Sequence, residues 1–540
     1  MTEKTFHNDK RFLHIPICDE PPRNYQYIKV YDGARMAGEF HIGIAYGDKP
    51  TDFFVALNLG NYVSPSVTLV CESDIASIFE GIVSGGNPEE ERKLYPNLYS
   101  EPTRQQIHFS AKRGWLNDPN GLFIKDGKFH LYFQHNPFGS RHGGVNVSWG
   151  HATSEDGVHF TEYPDAIMPY SSRCLVASGS AIVDKNNCFG KGEGAVIAAY
   201  TALQARQYGR APVTQNEGQM LLYSLDDGKT FKYFEKNPII AVTDGEYWRD
   251  PKILDKDGRY IVVVYEPVGE EKRTSLYALN DRKEWEFISN GEGFHECPDF
   301  FELEVAETGE KLFVTYGGHG CYSVGSFDGI KFTPIERGHY LDYGDSESLY
   351  AGQSFNNNSD PSVRYHTAWL KENEMCCYIP DDYVFQKVGF HCSLSLICSL
   401  TLHKTEKGYR VFRTPNENIK TLRRKCEKVE LTASQILDVP CEYVFTLEQS
   451  VTFVLNGKSL IYAHDKKSVR SSSGKEYEIC GKTPPKIRMI VDTMSVEFCI
   501  NDETMLTYYL KTAEKPLEIL GVDKIKTIKY SLSSIWEKIK

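Results

Sequence analysis

Four copies of one short pattern constrain this chain more than any other feature. Asp156-Gly157-Val158-His159-Phe160, Asp227-Gly228-Lys229-Thr230-Phe231 and Asp328-Gly329-Ile330-Lys331-Phe332 share the order Asp-Gly-x-x-aromatic, and Asp281-Arg282-Lys283-Glu284-Trp285 is a degenerate copy. Asp-Gly between strand-like runs marks a hairpin, because glycine accepts the positive φ that a tight turn requires. Copies about 50–70 residues apart indicate one repeated unit, at or beyond the upper end of propeller-blade periods. The runs between them read as strands. Lys128 to Gln134 alternates, with Phe129, Leu131 and Phe133 on one face, and Arg259 to Tyr265 and Lys311 to Tyr316 are short apolar runs bounded by Gly or charge. Two architectures fit: a β-propeller of four-stranded units, or a β-sandwich with unrelated Asp-Gly turns.

The flanks lack the repeat. Residues 1–100 carry strand-like runs such as Phe53 to Leu57 and one expected helical stretch, Asp74 to Val83. The last hundred-odd residues read as strands, for example Lys486 to Val491 and Ser495 to Ile500. With 540 residues the chain exceeds what one core can organise. The expected partition is an N-terminal β-rich accessory domain (1–100), a catalytic domain (101–400) and a C-terminal β domain (401–540), joined near Gly86 to Glu91 and Thr414 to Lys428.

The net charge of −12 argues against nucleic acid or an anionic membrane as partner, since both reward Lys and Arg. No apolar run reaches the length of a membrane span. The fourteen cysteines form no C-x-x-C pairs, and Cys376 and Cys377 are adjacent, so neither a disulfide framework nor a zinc site is indicated. With a charged N-terminus that has no apolar stretch behind it, this reads as a reduced, cytoplasmic protein.

Three segments share a design that carries chemistry. In Trp115-Leu116-Asn117-Asp118-Pro119, Trp248-Arg249-Asp250-Pro251 and Glu296-Cys297-Pro298-Asp299, an acid is followed within two residues by Pro and then by an apolar strand. Pro is tolerated in a sheet at a strand start, an edge or a bulge. The innermost strand of a propeller blade is such an edge, so each acid would point into the central channel. Converging carboxylates suit glycoside hydrolysis, in which one attacks or activates water and another protonates the leaving oxygen. Close like charges drive their pKa values apart, and Arg249 beside Asp250 is expected to keep that acid ionised. For any single segment, a buried acid that only bonds a turn is the favoured reading; three segments of matching design shift the balance towards function. The loop Gly317-Gly318-His319-Gly320 lacks the Lys-Ser/Thr of a phosphate loop. The histidines lack H-E-x-x-H spacing, and no metal or organic cofactor is expected. Lys420 to Lys428 reads as a solvated strand edge.

In order and spacing, W-L-N-D-P-N-G at 115–121, R-D-P at 249–251 and E-C-P at 296–298 resemble the three signature motifs of glycoside hydrolase family 32, the invertases, inulinases and levanases. Tyr132 to Pro137, Ser148 to Ala152, Ser178-Gly179-Ser180, Tyr350-Ala351 with Gln353, and Val491-Asp492 with Ser495 to Phe498 also match. The resemblance covers roughly 104–540, while residues 24–95 more weakly resemble an N-terminal extension of some bacterial members. It implies an all-β fold, a five-bladed propeller followed by a β-sandwich, and a small carbohydrate as partner. It implies retaining hydrolysis of terminal β-fructofuranosides, with Asp118 as nucleophile, Glu296 as acid/base and Asp250 stabilising the transition state. Asn117, Gln134, Ser178, Arg249 and Trp369 fall on substrate contacts, and Cys297 on a modulator of the acid/base. Fructosyl transfer, or fructan binding with weakened catalysis, are the alternatives. Four departures stand out: no Trp in 141–146, Ala177 where an aromatic precedes Ser-Gly-Ser, Ser348-Leu349 before Tyr-Ala, and Ile397 to Leu400 at the sandwich junction. The first two imply a wider or reshaped pocket, since a buried aromatic supplies much of a small pocket's contact.

Overall fold

A computed structural model describes residues 1–9, 11–20, 25–86, 88–142, 146–169, 174–204, 217–242, 247–345, 348–371, 387–510 and 514–536. Cys376, Cys377 and positions 143–145 of the Trp-less tract lie outside them. Five antiparallel sheets of four main strands follow one another between residues 114 and 415. Their first strands are Gly114–Lys125, Cys174–Asp184, Arg249–Lys256, Asp299–Glu304 and Leu349–Ser354. These first strands meet around a central axis. Asn356 and Ile124 link the fifth to the first through backbone bonds, and Ser180 of the second donates to the Pro251 carbonyl of the third. This is a five-bladed propeller, and the sandwich reading of the repeats is set aside.

Each Asp-Gly copy proves to be the same turn, joining the third and fourth strands of its blade: Ser148–Ser154 to Thr161–Ile167, Gly218–Ser224 to Lys232–Tyr233, and Cys321–Phe327 to Phe332–Tyr340. The degenerate copy joins Thr274–Leu279 to Trp285–Asn290. Gly157, Gly228 and Gly329 take positive φ (70°, 79° and 92°), and in the degenerate copy Lys283 takes it instead (62°). Apolar side chains fill the space between neighbouring blades, as Phe123, Trp149, Val176 and Tyr200 do between the first and second. The ring closes where Phe390–His391 pairs in parallel with Gly114 and Trp115 of the first blade.

The fifth blade is completed by Cys398–Thr405 and Gly408–Pro415, so the expected junction at residue 400 falls inside a sheet. A 3-10 turn, Glu417–Leu422, leads out of it. Two six-stranded sheets then face each other as a β-sandwich, filled by residues such as Phe453, Tyr462, Met489 and Phe498. Arg423–Thr432 is an edge strand of one sheet with alternating exposed charges, as its basic composition implied. At the other end, a four-stranded and a three-stranded sheet enclose Leu13, Val30, Phe40, Val55 and Leu69. The helix expected over Asp74 to Val83 does not form. That stretch makes isolated i→i+3 turns, Ile78 to Ile75 and Glu80 to Ser77, and sends Ile78, Phe79 and Ile82 into the N-terminal core. A short helix instead occupies the expected linker, Pro88–Leu94.

Candidate functional site

One backbone device recurs where the first strands begin. Pairing with the second strand slips between Leu116 and Pro119, between Val176 and Gly179, between Arg249 and Lys252, and between Tyr350 and Gln353. Each slip is a bulge that leaves the intervening residues out of the ladder and re-aims their side chains. Asp118, Ser178 and Asp250 sit in three of these bulges. In the fourth blade the chain turns before its strand, with Glu296 and Cys297 at φ of 50° and 43°. Pro after the acid is the sequence mark of this irregularity, since it has no N–H for the ladder.

The bulges bring the expected acids together. Ser178 Oγ donates to Asp118 Oδ2 at 2.7 Å and Asn117 Nδ2 to Asp118 Oδ1 at 3.2 Å. The Asn117 amide is itself fixed by Trp115 Nε1, 3.0 Å from its Oδ1. Cys297 Sγ lies 3.7 Å from Asp118 Oδ2 and 3.6 Å from Asp250 Oδ2, and its backbone N–H donates to the same Asp250 oxygen at 3.0 Å. Arg249 Nη2 donates to Glu296 Oε1 at 2.7 Å, while its Nε stands 3.8 Å from Asp250 Oδ2. Asp118, Asp250 and Glu296 thus form one cluster bridged by a thiol and a guanidinium.

Burial dominates the electrostatics. Loss of water raises Asp118 to about 6 and Asp250 to about 7, against the bonds from Ser178 and the charge of Arg249 respectively. Burial also opposes ionisation of Glu296. There the charge and hydrogen bond of Arg249, with Tyr350 Oη at 2.7 Å from Oε2, win and hold the acid below its usual value. One expectation is corrected: the charge of Arg249 favours the ionised form of Asp250, but burial outweighs it and raises that acid to about 7. The Cys297 thiol makes its contacts with the two aspartates, and the charge of Glu296 also acts on it.

The remaining predicted residues lie near by in differing states. Gln134 is buried, and its Nε2 has no hydrogen-bond partner among the described residues. Trp369 is buried edge-on to Trp115, with ring centres 5.9 Å apart. His142, from the tract that lacks a Trp, also packs edge-on to Trp115 at 6.1 Å, as does His391 at 4.9 Å. Three contacts were not anticipated. Tyr350 bonds Glu296, Thr201 Oγ1 accepts the Asp250 N–H at 2.9 Å, and His295 Nε2 lies 3.4 Å from Glu296 Oε1. Tyr350 opens the fifth first strand, the one place where the bulge pattern could have flagged it. Among the described residues no group of acids, His and Cys is arranged to hold a metal.

Fold and site together describe a five-bladed propeller that gathers three carboxyls where its first strands begin. Residues 108–415 match the glycosyl hydrolases family 32 N-terminal domain. That is more than half of the chain, which belongs to glycosyl hydrolase family 32. An extracellular exo-inulinase of Aspergillus niger is 35% identical over 306 residues, 50% of this chain and 55% of that protein. The levanase of Bacillus subtilis is 31% identical over 359 residues, 62% of this chain and 50% of its own length. The chain therefore spans about half the length of these curated relatives. The crystal structure of exo-inulinase from Aspergillus awamori superposes with a TM-score of 0.67 at 23% identity, over 81% of this chain and all of that one, a likeness of fold. The cytoplasmic location read from the cysteines is overturned by the extracellular inulinases among the relatives. The physical reason is that seven of the twelve cysteines described are buried, where a thiol serves as a small apolar side chain and reports packing rather than compartment.

Proposed function

We propose that this protein hydrolyses terminal β-fructofuranosides with retention, through a covalent fructosyl-enzyme. The convergence of Asp118, Asp250 and Glu296 carries the reading. Asp118, held by Ser178 and Asn117, is the nucleophile on the anomeric carbon. Glu296 protonates the leaving oxygen and then takes the proton of the attacking water. Asp250 accepts from ring hydroxyls and answers the positive charge that builds in the transition state. Asn117, Gln134, Ser178, Arg249 and Trp369 line the fructosyl position. Family membership and the inulinase and levanase names of the relatives support fructosides as the substrate class.

In the unliganded site the two shifts run against what this chemistry needs, with the nucleophile raised and the acid lowered. Arg249 resolves this. When sugar hydroxyls draw its guanidinium away from Oε1, Glu296 loses its counter-charge in a drier site and gains a proton. Asp118 meanwhile keeps its Ser178 bond. The test is fructose release from sucrose, a short fructo-oligosaccharide, inulin and levan, with Asp118→Ala as control. Release by the parent and not by the variant supports the reading; a folded parent that releases none refutes it. Product analysis at high sucrose separates hydrolysis from transfer.

A further inference from the structure

A second cleft lies outside the acid cluster, between the N-terminal sheets and the first propeller blade. It encloses about 430 Å³, room for one or two sugar rings. Its floor is the strand Arg35–Ile42, on which Phe40 stacks against Phe138 of the blade at 4.2 Å. The opposite wall is the outer strand of the first blade, Thr161–Ile167, with Tyr163 and Asp165.

Three observations mark this cleft as built rather than left over. Small, half-buried residues form part of the floor: Ala37 and Gly38 line it, and a Cβ added at Gly38 would meet nothing within 4 Å. Packing therefore does not demand a glycine there, while a strand glycine weakens its strand; keeping the space open is what its absence of side chain achieves. The opposing strand register also shifts at this point, between Val30 and Tyr31, so the floor is bent by a bulge. Finally, the cleft is tied to the acid cluster. Asn146 on its rim bonds the His41 backbone in both directions, and its amide reaches Asn136, the residue paired with Trp115. Asp165 bonds His135, next to Gln134.

The lining chemistry selects the ligand. Arg35 and Lys229 are balanced by Glu39 and Asp165, so no ion is favoured. Asn58, Asn61 and the tyrosines Tyr62 and Tyr163 offer paired donors and acceptors beside apolar ring faces, the combination that fits a hydroxyl-rich neutral ring. We infer that this cleft binds a second stretch of a neutral oligo-β-fructoside and holds long chains near the acid cluster; the identity of the sugar rests on the function proposed above.

The test uses the full chain carrying Asp118→Ala, with retardation in native gels containing inulin or levan as readout. That readout needs no catalysis. Gly38→Phe fills the cleft from its floor, and the paired variant Arg35→Ala with Asn61→Ala removes surface contacts without touching a core. Each should weaken polymer retention by about 100-fold, the lower end of what is lost when one of two linked sites is removed. In the otherwise unaltered chain, each should leave hydrolysis of sucrose unchanged. Equal retardation of parent and both variants, or none for the parent, overturns the cleft assignment. Retention that depends on Gly38, with no fructose release from any sugar, would instead overturn the catalytic reading and keep the cleft.

Discussion

Arg249 and Glu296 form an ion pair of 2.7 Å inside the acid cluster, made by residues of two different blades. This pair sets the ionisation of the proposed acid/base, so removing Arg249 should have two separable effects. Arg249→Gln loses a sugar contact and should lower kcat/KM by about 100-fold. It also removes the main cause that lowers Glu296, so the basic limb of the kcat/KM profile should move to higher pH. A lowered profile with an unmoved basic limb would contradict the pairing described here.

Tyr350→Phe isolates the weaker support. It deletes one hydrogen bond to Glu296 Oε2 and no charge. The basic limb should shift upward by less than in Arg249→Gln, and kcat should fall by about three- to tenfold. A pH–rate series on both variants checks the order.

Asp118 and Asp250 make the site a cost to the fold. Their folded pKa values, about 6 and about 7, exceed the ordinary 3.8. Protonated carboxyls therefore favour the folded state, fully below pH 4, and that contribution is lost as the pH rises through 6 to 7. Asp118→Asn, neutral at every pH, should be inactive yet more stable than the parent at pH 8, on the order of 2 kcal/mol, and no more stable at pH 4. Denaturant unfolding at the two pH values measures this.

His108, at the seam between propeller and sandwich, shows a dependence of the same sign at higher pH. Both its nitrogens face carboxylates, Asp492 at 2.7 Å and Glu497 at 3.0 Å, and their charges raise it to about 9 despite full burial. Its stabilisation is complete below pH 6.5 and fades as the pH rises through 9. Asp492 also accepts the Gln106 and Ile107 N–H groups, so this seam should loosen first in alkali. His108→Ala strands two buried acids and should cost about 3–5 kcal/mol near pH 7, with hydrogen exchange rising at 105–108.

Beneath the acids, Lys252 Nζ is buried against Asp299, 3.1 Å away, and the Ser354 carbonyl at 2.8 Å. This group plugs the axis where three first strands meet. Asp299→Asn leaves the lysine charge poorly matched and should destabilise the fold by about 3 kcal/mol. The replacement Lys252→Met with Asp299→Leu should recover most of that loss, as thermal unfolding would show.

How far the sequence announced all this depends on whether a feature is local. Asp-Gly turns and acid-Pro pairs are local, so the repeated unit and the three acid-bearing segments could be read directly, while the choice of a five-bladed propeller rested on the family resemblance. Tyr350 reaches Glu296 only because the fifth blade returns beside the fourth, which no spacing encodes. Cys297 is adjacent to Glu296 in the chain, yet its thiol contacts Asp118 and Asp250, which come from other blades. Asp74 to Val83 has the apolar spacing of a helix, but docking Ile78, Phe79 and Ile82 into a small β core wins over local preference. The cysteines misled on location because burial alone explains most of them.

Ring closure by Phe390–His391 has a consequence for synthesis. The first blade emerges from the ribosome long before the segment that caps its innermost strand, and Gly114 and Trp115 wait with an unsatisfied edge until that segment of the fifth blade has been made. An open strand edge flanked by apolar side chains is an invitation to wrong partners. The nascent chain must therefore be shielded over most of its translation, and yield in a cell should depend on that protection more than on the stability of the finished ring.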